Sequence, residues 1–361
     1  MLATVPASLN LIAQKTPLID VRAPVEFVQG SLPGAVNLPL MVDGERHQVG
    51  IAYKQRGQQA AIGLGERLVS GDIKRARVDA WLGYVARQPD AIVYCFRGGL
   101  RSQIAQQWLA DAGINRPRID GGWKAMRQRL CQRIDEAASQ PMLVVAGLTG
   151  CAKTTLINQL SNGVDLEAFA NHKGSAFGRQ PEEPTTQINF EHALAQRLIG
   201  LTGSLVVEDE SRQIGNANIP LTFWHALQHA PRIRIEMPLD WRLEQLRRDY
   251  IEALEQRYTA RYGQQEGWQR MRLQLANALE RLAKRLGNAR LQRLQRLQGM
   301  AFDAHALGNI QAHEAWLAPL LTEYYDPLYR YHLEKQRDNR PVELHVGDWE
   351  SCLEAARQWS A

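Results

Sequence analysis

The chain has 361 residues, 45% of them hydrophobic and 22% charged. At roughly 100–200 residues per domain that is material for two domains, and the balance excludes a disordered, collagenous or low-complexity chain. No apolar run approaches the ~20 residues of a membrane span. Met1-Leu-Ala-Thr-Val-Pro lacks the basic and long apolar regions of a secretory leader. Four scattered cysteines (Cys95, Cys131, Cys151, Cys352) do not form a disulfide framework, so a reducing, cytoplasmic setting is expected.

Short apolar strands alternate with helical stretches up to about residue 130. Leu18-Ile-Asp-Val and Ala91-Ile-Val-Tyr read as buried strands. Ser102–Gly113 reads as a helix with Ile104, Ala105, Trp108, Leu109 and Ala112 on its apolar positions and Gly113 as its stop. Residues 1–128 are therefore expected to form an α/β domain, and 129–140 a connecting helix ending at Pro141. Residues 141–361 are expected to form a second, parallel α/β domain. Its strands are Met142–Ala146, Leu205-Val-Val, Ile233–Met237 and a late return at Val342–Val346. A basic helical region of about 241–335 is inserted before that return.

The first chemical constellation follows the strand Ala91–Tyr94. Cys95-Phe96-Arg97-Gly98-Gly99-Leu100-Arg101 leads straight into a helix. Two glycines let backbone N–H groups turn inward, two arginines add positive charge, and the helix start adds a partial positive charge. A thiol in such a cradle ionises readily, and the thiolate is the reactive form. The loop is expected to hold a tetrahedral, phosphate-like donor while Cys95 attacks, with Arg101 on its oxygens. That reading requires position 95 to face an entrance. The Cys-x5-Arg spacing also leaves a phosphatase open.

Here the chain resembles the rhodanese family, through Asp20-Val-Arg, Glu26-Phe, Pro33-Gly-Ala-Val-Asn-Leu-Pro and the closing Asp120-Gly-Gly-Trp. Ser31 stands where that family often has histidine. The resemblance implies a cysteine carrying sulfur or selenium as a persulfide or perselenide.

The second constellation is a strand, loop and helix at residues 142–157. Gly147-Leu-Thr149-Gly150-Cys151-Ala152-Lys153-Thr154 has the form of a phosphate loop, with Ala152 in place of the second glycine. Its amides are expected to cradle a diphosphate, Lys153 to reach the terminal oxygens and the Thr154 hydroxyl to offer a Mg²⁺ ligand. Cys151 reads as a small packing residue. Glu208-Asp209-Glu210-Ser-Arg212 ends a strand and suits metal or water positioning, with Asp209 and Glu210 equally eligible. The His172-Lys173-Gly-Ser175 segment suggests a loop closing on an anion.

The net charge of +5 is uneven. Residues 241–300 carry 13 Lys and Arg against 6 Asp and Glu, so the remainder is slightly acidic. Leucines at 282, 286, 291, 294 and 297 form one stripe, with Arg285, Arg290 and Arg293 among the residues between them. Such a face suits a phosphate backbone, and Tyr324 and Tyr325 are candidates to stack on splayed bases.

The combination resembles the bacterial tRNA 2-selenouridine synthase family. The segments that carry it are Val49–Gly57, Tyr94–Ser102, Gly147–Thr154, His172–Gly178, Glu208–Gly215 and Tyr324-Tyr-Asp-Pro-Leu-Tyr. The resemblance implies a transferase acting on the tRNA anticodon region. It geranylates the 2-thiouridine sulfur with geranyl diphosphate, then replaces the S-geranyl group with selenium from selenophosphate at Cys95. No tightly bound cofactor is implied, and the residues leave a Mg²⁺ requirement at Thr154 open. A transient contact with the selenophosphate-producing enzyme is implied. The residues alone also leave open a plain sulfurtransferase coupled to an NTPase, and a non-catalytic RNA-binding module.

Overall fold

The computed structural model describes residues 2–335 and 342–360, which form two compact units. Of these, 2–136 with 186–200 make up the first, and 137–185 with 201–335 and 342–360 the second. Among the described residues no helix is long and apolar enough to cross a membrane.

The first unit is built on β1 (Thr4–Val5), β2 (Leu18–Asp20), β3 (Ala35–Asn37), β4 (Ile92–Tyr94) and β5 (Arg118–Ile119), in the order β1-β5-β4-β2-β3 with every pairing parallel. β2 and β4 are buried along their whole length. That is why they read as continuous apolar runs rather than alternating ones.

The Asp20-Val-Arg segment is structural. Arg22 clamps Asp20 through Nε and Nη2, the shortest contact being 2.6 Å, and also donates to Gly30 O at 2.8 Å. Both side chains are buried, and the guanidinium lies 5.0 Å from the Trp123 ring centroid.

Two parts of the chain are placed differently from the sequence expectation. The helix Gly122–Ala137 is counted with the first unit through Glu136, because Met126, Leu130 and Ile134 bury one of its faces and Arg133 donates to Leu198 O. The helix Gln187–Leu198, expected in the second domain, also belongs to the first unit. Gly30 leaves room for Ile188, since a Cβ there would lie 2.2 Å from Ile188 Cγ2. Ser31 N donates to Asn189 Oδ1, and His192 Nδ1 donates to Ser31 O at 2.6 Å. Burial pushes the His192 imidazole down to about 4, so it is neutral at pH 7. The backbone at Ser31 thus makes the contacts that hold this helix.

The second unit carries β6 (Met142–Gly147), β7 (Gly163–Val164), β8 (Leu205–Glu208), a hairpin of β9 (Gln213–Ile214) and β10 (Ala217–Asn218), then β11 (Arg232–Ile235) and β12 (Glu343–Gly347). The main sheet runs β12-β11-β6-β8-β7, all parallel, so the late strand does return beside β11.

Between β11 and β12 lies the helical region. Leu282, Leu286, Leu291 and Leu294 are buried as their spacing required, and Leu297 packs against the same cluster. The stretch from Trp241 to Leu297 is not one helix. Gly263 and Gly287, at φ +78° and +76°, break it, and residues Arg248–Glu252 form a π-turn.

Arg22→Met would leave the Asp20 carboxylate buried without its partner. Denaturant unfolding should show a loss of about 3–5 kcal/mol; an unchanged midpoint would make the pair dispensable.

Candidate functional site

β4 ends at Tyr94 and delivers Cys95 at the head of its loop; the helix Leu100–Asp111 begins five residues later. Gly98 adopts φ +64°, and a Cβ there would sit 2.7 Å from Ile119 O. The Asp120-Gly-Gly-Trp segment clasps the loop from behind. Trp123 N donates to Cys95 O and Lys124 N to Phe96 O, both at 2.9 Å. Gly122, at φ +57°, leaves no room for a side chain, since a Cβ would lie 2.3 Å from Cys95 O. Phe96 stacks on Trp123 at 5.3 Å, and Arg97 is exposed, its guanidinium 5.9 Å from the Phe96 centroid.

Two expectations for this loop are corrected. Cys95 is only 3% exposed. Its Sγ donates to Ser102 Oγ at 3.2 Å, and Ser102 Oγ in turn donates to Gly99 O at 3.0 Å. The loop backbone folds over the sulfur instead of opening it to solvent, and the apolar cluster of Ile19, Val21, Val93 and Ala105 takes the thiol in. Nor is Arg101 turned onto the loop. It makes a fork with Glu26, Nη1 to Oε2 at 2.6 Å and Nη2 to Oε1 at 3.1 Å. Burial would raise the Glu26 carboxyl, but the hydrogen bonds and charge of Arg101, with Arg46 beside it, hold it below its usual value. The guanidinium is raised in turn by its pairing with Glu26, which outweighs its own burial.

In the second unit β6 ends at Gly147 and the chain turns through 148–152 into the short helix Lys153–Ile157. Ala152 adopts the left-handed conformation, φ 55° and ψ 41°. This is where a glycine would be unstrained, and an L-residue there costs about 1–2 kcal/mol. The loop is held by long-range contacts. Arg242 Nε donates to Thr149 O at 2.9 Å while its Nη atoms fork onto Asp326, both residues buried. Trp349 Nε1 donates to Ala152 O, and Gly147 N donates to the Tyr329 hydroxyl. Gly150 lies against Arg242 O. Cys151 is buried, and burial raises its thiol, which fits packing rather than nucleophilic chemistry.

Lys153 Nζ donates to Gly147 O at 3.2 Å. Thr154 Oγ1 donates to Glu208 Oε2 at 3.0 Å and approaches Glu167 Oε2 at 3.3 Å; Glu167 N donates to Glu208 Oε1. Glu210 completes the group: a Cβ on Gly174 would lie 2.6 Å from Glu167 Oε1 and 2.9 Å from Glu210 Oε2. Burial first, then the neighbouring carboxylates, pushes both Glu167 and Glu210 up to about 8, and Glu208 is also raised. Burial disfavours the Lys153 ammonium, but Cys151, Glu210 and Glu167 outweigh it and raise its pKa. The structure thus separates the two eligible acids. Asp209 is drawn to Arg232 at 3.3 Å, and Glu210 faces the lysine.

Sequence reasoning missed Glu167 and Arg242, and held Glu208 and Tyr329 only within longer segments, with no role of their own. Glu208 was legible as the last residue of β8, but the others come from distant segments. Among the described residues no group of three or more His, Cys, Asp and Glu is arranged to hold a metal ion by itself. The oxygen donors Thr154, Glu208 and Glu167 are of the hard type Mg²⁺ takes when phosphates and waters supply the remaining ligands.

The 172–177 segment lies beside this group. Lys173 Nζ pairs with Asp249 at 2.9 Å, and the Tyr250 hydroxyl donates to Lys173 O. Ser175 Oγ bonds the same hydroxyl at 3.2 Å. Asp249 and Tyr250 belong to the π-turn, which explains that irregularity in an otherwise helical stretch. The His172 ring packs on Gly215, and burial with Arg281 lowers its pKa. Arg212 is exposed.

The basic face is more neutral than composition suggested. Arg293 pairs with Glu323 at 2.9 Å, Arg290 approaches the same residue, and Arg285 contacts the Tyr324 hydroxyl at 3.4 Å. Tyr324 is buried and Tyr325 packs edge-on against it at 4.9 Å within the helical core. As placed, Tyr324 has no ring face open to a base, which corrects the stacking expectation.

The unfolded chain leaves Glu167 and Glu210 ionised above about pH 5, whereas the folded unit keeps them protonated to about pH 8. The folded state binds more protons across that window, so its stability falls as pH rises. The thermal midpoint of the second unit should drop across this window, and Glu210→Gln should flatten the profile. Ala152→Gly relieves the left-handed strain at some cost in chain entropy and should stabilise by at most about 1 kcal/mol in denaturant unfolding.

Comparison with known proteins brings in the lineage of both units. A rhodanese-like domain model matches residues 6–129, and a model described as the tRNA 2-selenouridine synthase AAA domain matches residues 140–361. A Chromohalobacter salexigens protein named tRNA 2-selenouridine synthase is 65% identical over 346 residues, covering 96% of this chain and 95% of its own length. Proteins of the same name from Photobacterium profundum and Serratia proteamaculans are 46% and 47% identical, each over 91% of this chain and 92% and 89% of their own lengths.

Proposed function

This chain belongs to the tRNA 2-selenouridine synthase family, and from that premise we propose that it makes 2-selenouridine at the wobble position of tRNA in two steps. In the first, the 2-thiouridine sulfur attacks C1 of geranyl diphosphate, the C–O bond breaks and diphosphate leaves with the electron pair. In the second, the selenium of selenophosphate, held at the Cys95 loop, attacks C2 of the base, the C–S bond breaks and the geranyl thiolate departs with the electron pair; water then cleaves the Se–P bond, releasing phosphate and leaving 2-selenouridine. Alkylation precedes substitution because a thiocarbonyl sulfur leaves poorly.

The observation that carries this reading is the similarity to relatives so named, which runs through both units. The two loops supply chemistry suited to the two steps. The 147–154 loop offers backbone amides and the Lys153 ammonium to a departing diphosphate. Thr154, Glu208 and Glu167 would hold Mg²⁺, which when bound neutralises diphosphate charge. Glu167 and Glu210, protonated at neutral pH, would release protons as that cation arrives.

The Cys95 loop offers a thiol beside Ser102 and a backbone cradle. Its closed form requires the loop to part before a donor reaches Sγ. The Arg101–Glu26 fork argues against the phosphatase alternative, which needs that guanidinium on the phosphate. The exposed Arg290 and Arg293 remain candidates for the tRNA backbone.

Lys153→Ala should weaken equilibrium binding of geranyl diphosphate at least about tenfold, the loss of one charge-assisted contact; unchanged affinity would remove the assignment. Cys95→Ser should abolish selenation of tRNA, and tRNA from cells lacking the protein should contain neither 2-selenouridine nor S-geranyl-2-thiouridine. Selenation by Cys95→Ser would refute the role.

A further inference from the structure

The first unit holds a cavity of about 770 Å³ that nothing above uses. Its walls are mainly apolar, from Val49, Ile62 and Val69 on one side and Leu40, Ile104 and Trp108 on the other. Arg46, His47, Lys54 and Arg101 stand around it, with Glu66 the acid in the lining. Glu26 neutralises only one of Arg46 and Arg101, since it pairs with both. An apolar interior with a net positive rim matches a hydrocarbon chain attached to an anion.

The position relative to the thiol is more informative. Leu100 and Arg101, the first residues of the helix that follows the Cys95 loop, form part of the cavity wall. Leu40 lies in the same apolar cluster as Cys95, and Met41, Ile104 and Trp108 pack against that cluster. The sulfur is shielded from solvent but lies behind side chains that line a cavity large enough for a ligand.

We propose that this cavity receives the S-alkyl chain of the alkylated base while selenium replaces it, with the flanking nucleotide phosphates on the cationic rim. The assignment rests on the two-step reading above. It places the departing hydrocarbon next to the loop where the C–S bond breaks, and it explains why an enzyme of nucleic acid keeps Ile51, Tyr53 and Leu100 exposed on one face. The cavity therefore discriminates by chain length, which the 147–154 loop, a polar site for a diphosphate, has no means of doing for an already alkylated base.

The test uses the full chain and synthetic anticodon stem-loops bearing S-geranyl- or S-methyl-2-thiouridine. The wild type should bind the geranyl form at least about tenfold more tightly, given the apolar area available for burial. Ala61→Phe with Ile104→Phe fills the cavity, and should erase that preference while leaving S-methyl affinity unchanged. Lys54→Glu on the rim should weaken both ligands without altering their ratio. A geranyl chain carrying a diazirine should crosslink within residues 40–69 or 100–108, a readout independent of whether the filled variant folds. Equal affinity of the two ligands, a preference surviving in the filled variant, or a crosslink in the second unit would overturn the proposal. Because the ligand is supplied already alkylated, failure of geranyl transfer would leave these outcomes untouched and would count only against the two-step reading.

Discussion

The backbone carbonyl of Cys95 accepts from Trp123 N, and only a glycine at position 122 lets the two segments come that close. This contact determines the path of the loop. It brings Gly98 against Ile119 O and Gly121 N, where a side chain has no room. The chain then enters the helix at Leu100 with Ser102 under the sulfur. Trp123, held by the same clasp, carries Phe96 on its ring and lies 5.0 Å from the Arg22 guanidinium. Arg22 is in turn forked onto Asp20 at the end of β2. A chain of backbone and buried charged contacts thus runs from the carboxyl end of β2 to Cys95, and little of it is free to relax alone.

The second unit solves a related problem differently. There the loop contains an L-residue in the left-handed region at Ala152, and the surrounding structure keeps it there: Arg242 on Thr149 O, Trp349 on Ala152 O, and Tyr329 on Gly147 N. A strained residue persists only where its neighbours over-determine it. Arg242 also shows that positive charge in the helical region is not all available to an outside anion, since it is buried and spent on Asp326 and the loop. Three carboxyl groups gathered around one lysine and one threonine would be costly if all were ionised. Protonation relieves that cost in the absence of a cation, which couples the proton balance of the site to whatever cation or phosphate enters it.

Burial of Cys95 changes how its reactivity is understood. A thiol in a basic, solvent-open cradle would be reactive toward any electrophile. One that donates to Ser102 Oγ under a closed loop is shielded from solvent. In the proposal above, the nearby cavity would give the approach an apolar route instead of an aqueous one, and a dry site would strengthen the charge–charge contacts formed inside it.

The strand–loop–helix order around Cys95 and Lys153, the two-unit division, and the leucine stripe at 282–294 were all legible in the residues. Each depends on local spacing: apolar runs for buried parallel strands, glycines where φ must be positive, and a helical period for the stripe. Charge counts also located the basic helices, but not their partners. Whether a charge is free is decided by residues far apart in the chain. Glu26 takes Arg101 across 75 positions and Glu323 takes Arg293 across 30. The same holds for Glu167 joining Glu208, for the helix Gln187–Leu198 crossing to the first unit, and for Tyr324 turning inward. Sequence spacing sets which side chains share one face of one element. Only the folding of elements onto one another sets which faces meet, because that depends on the total apolar area buried and not on any local run.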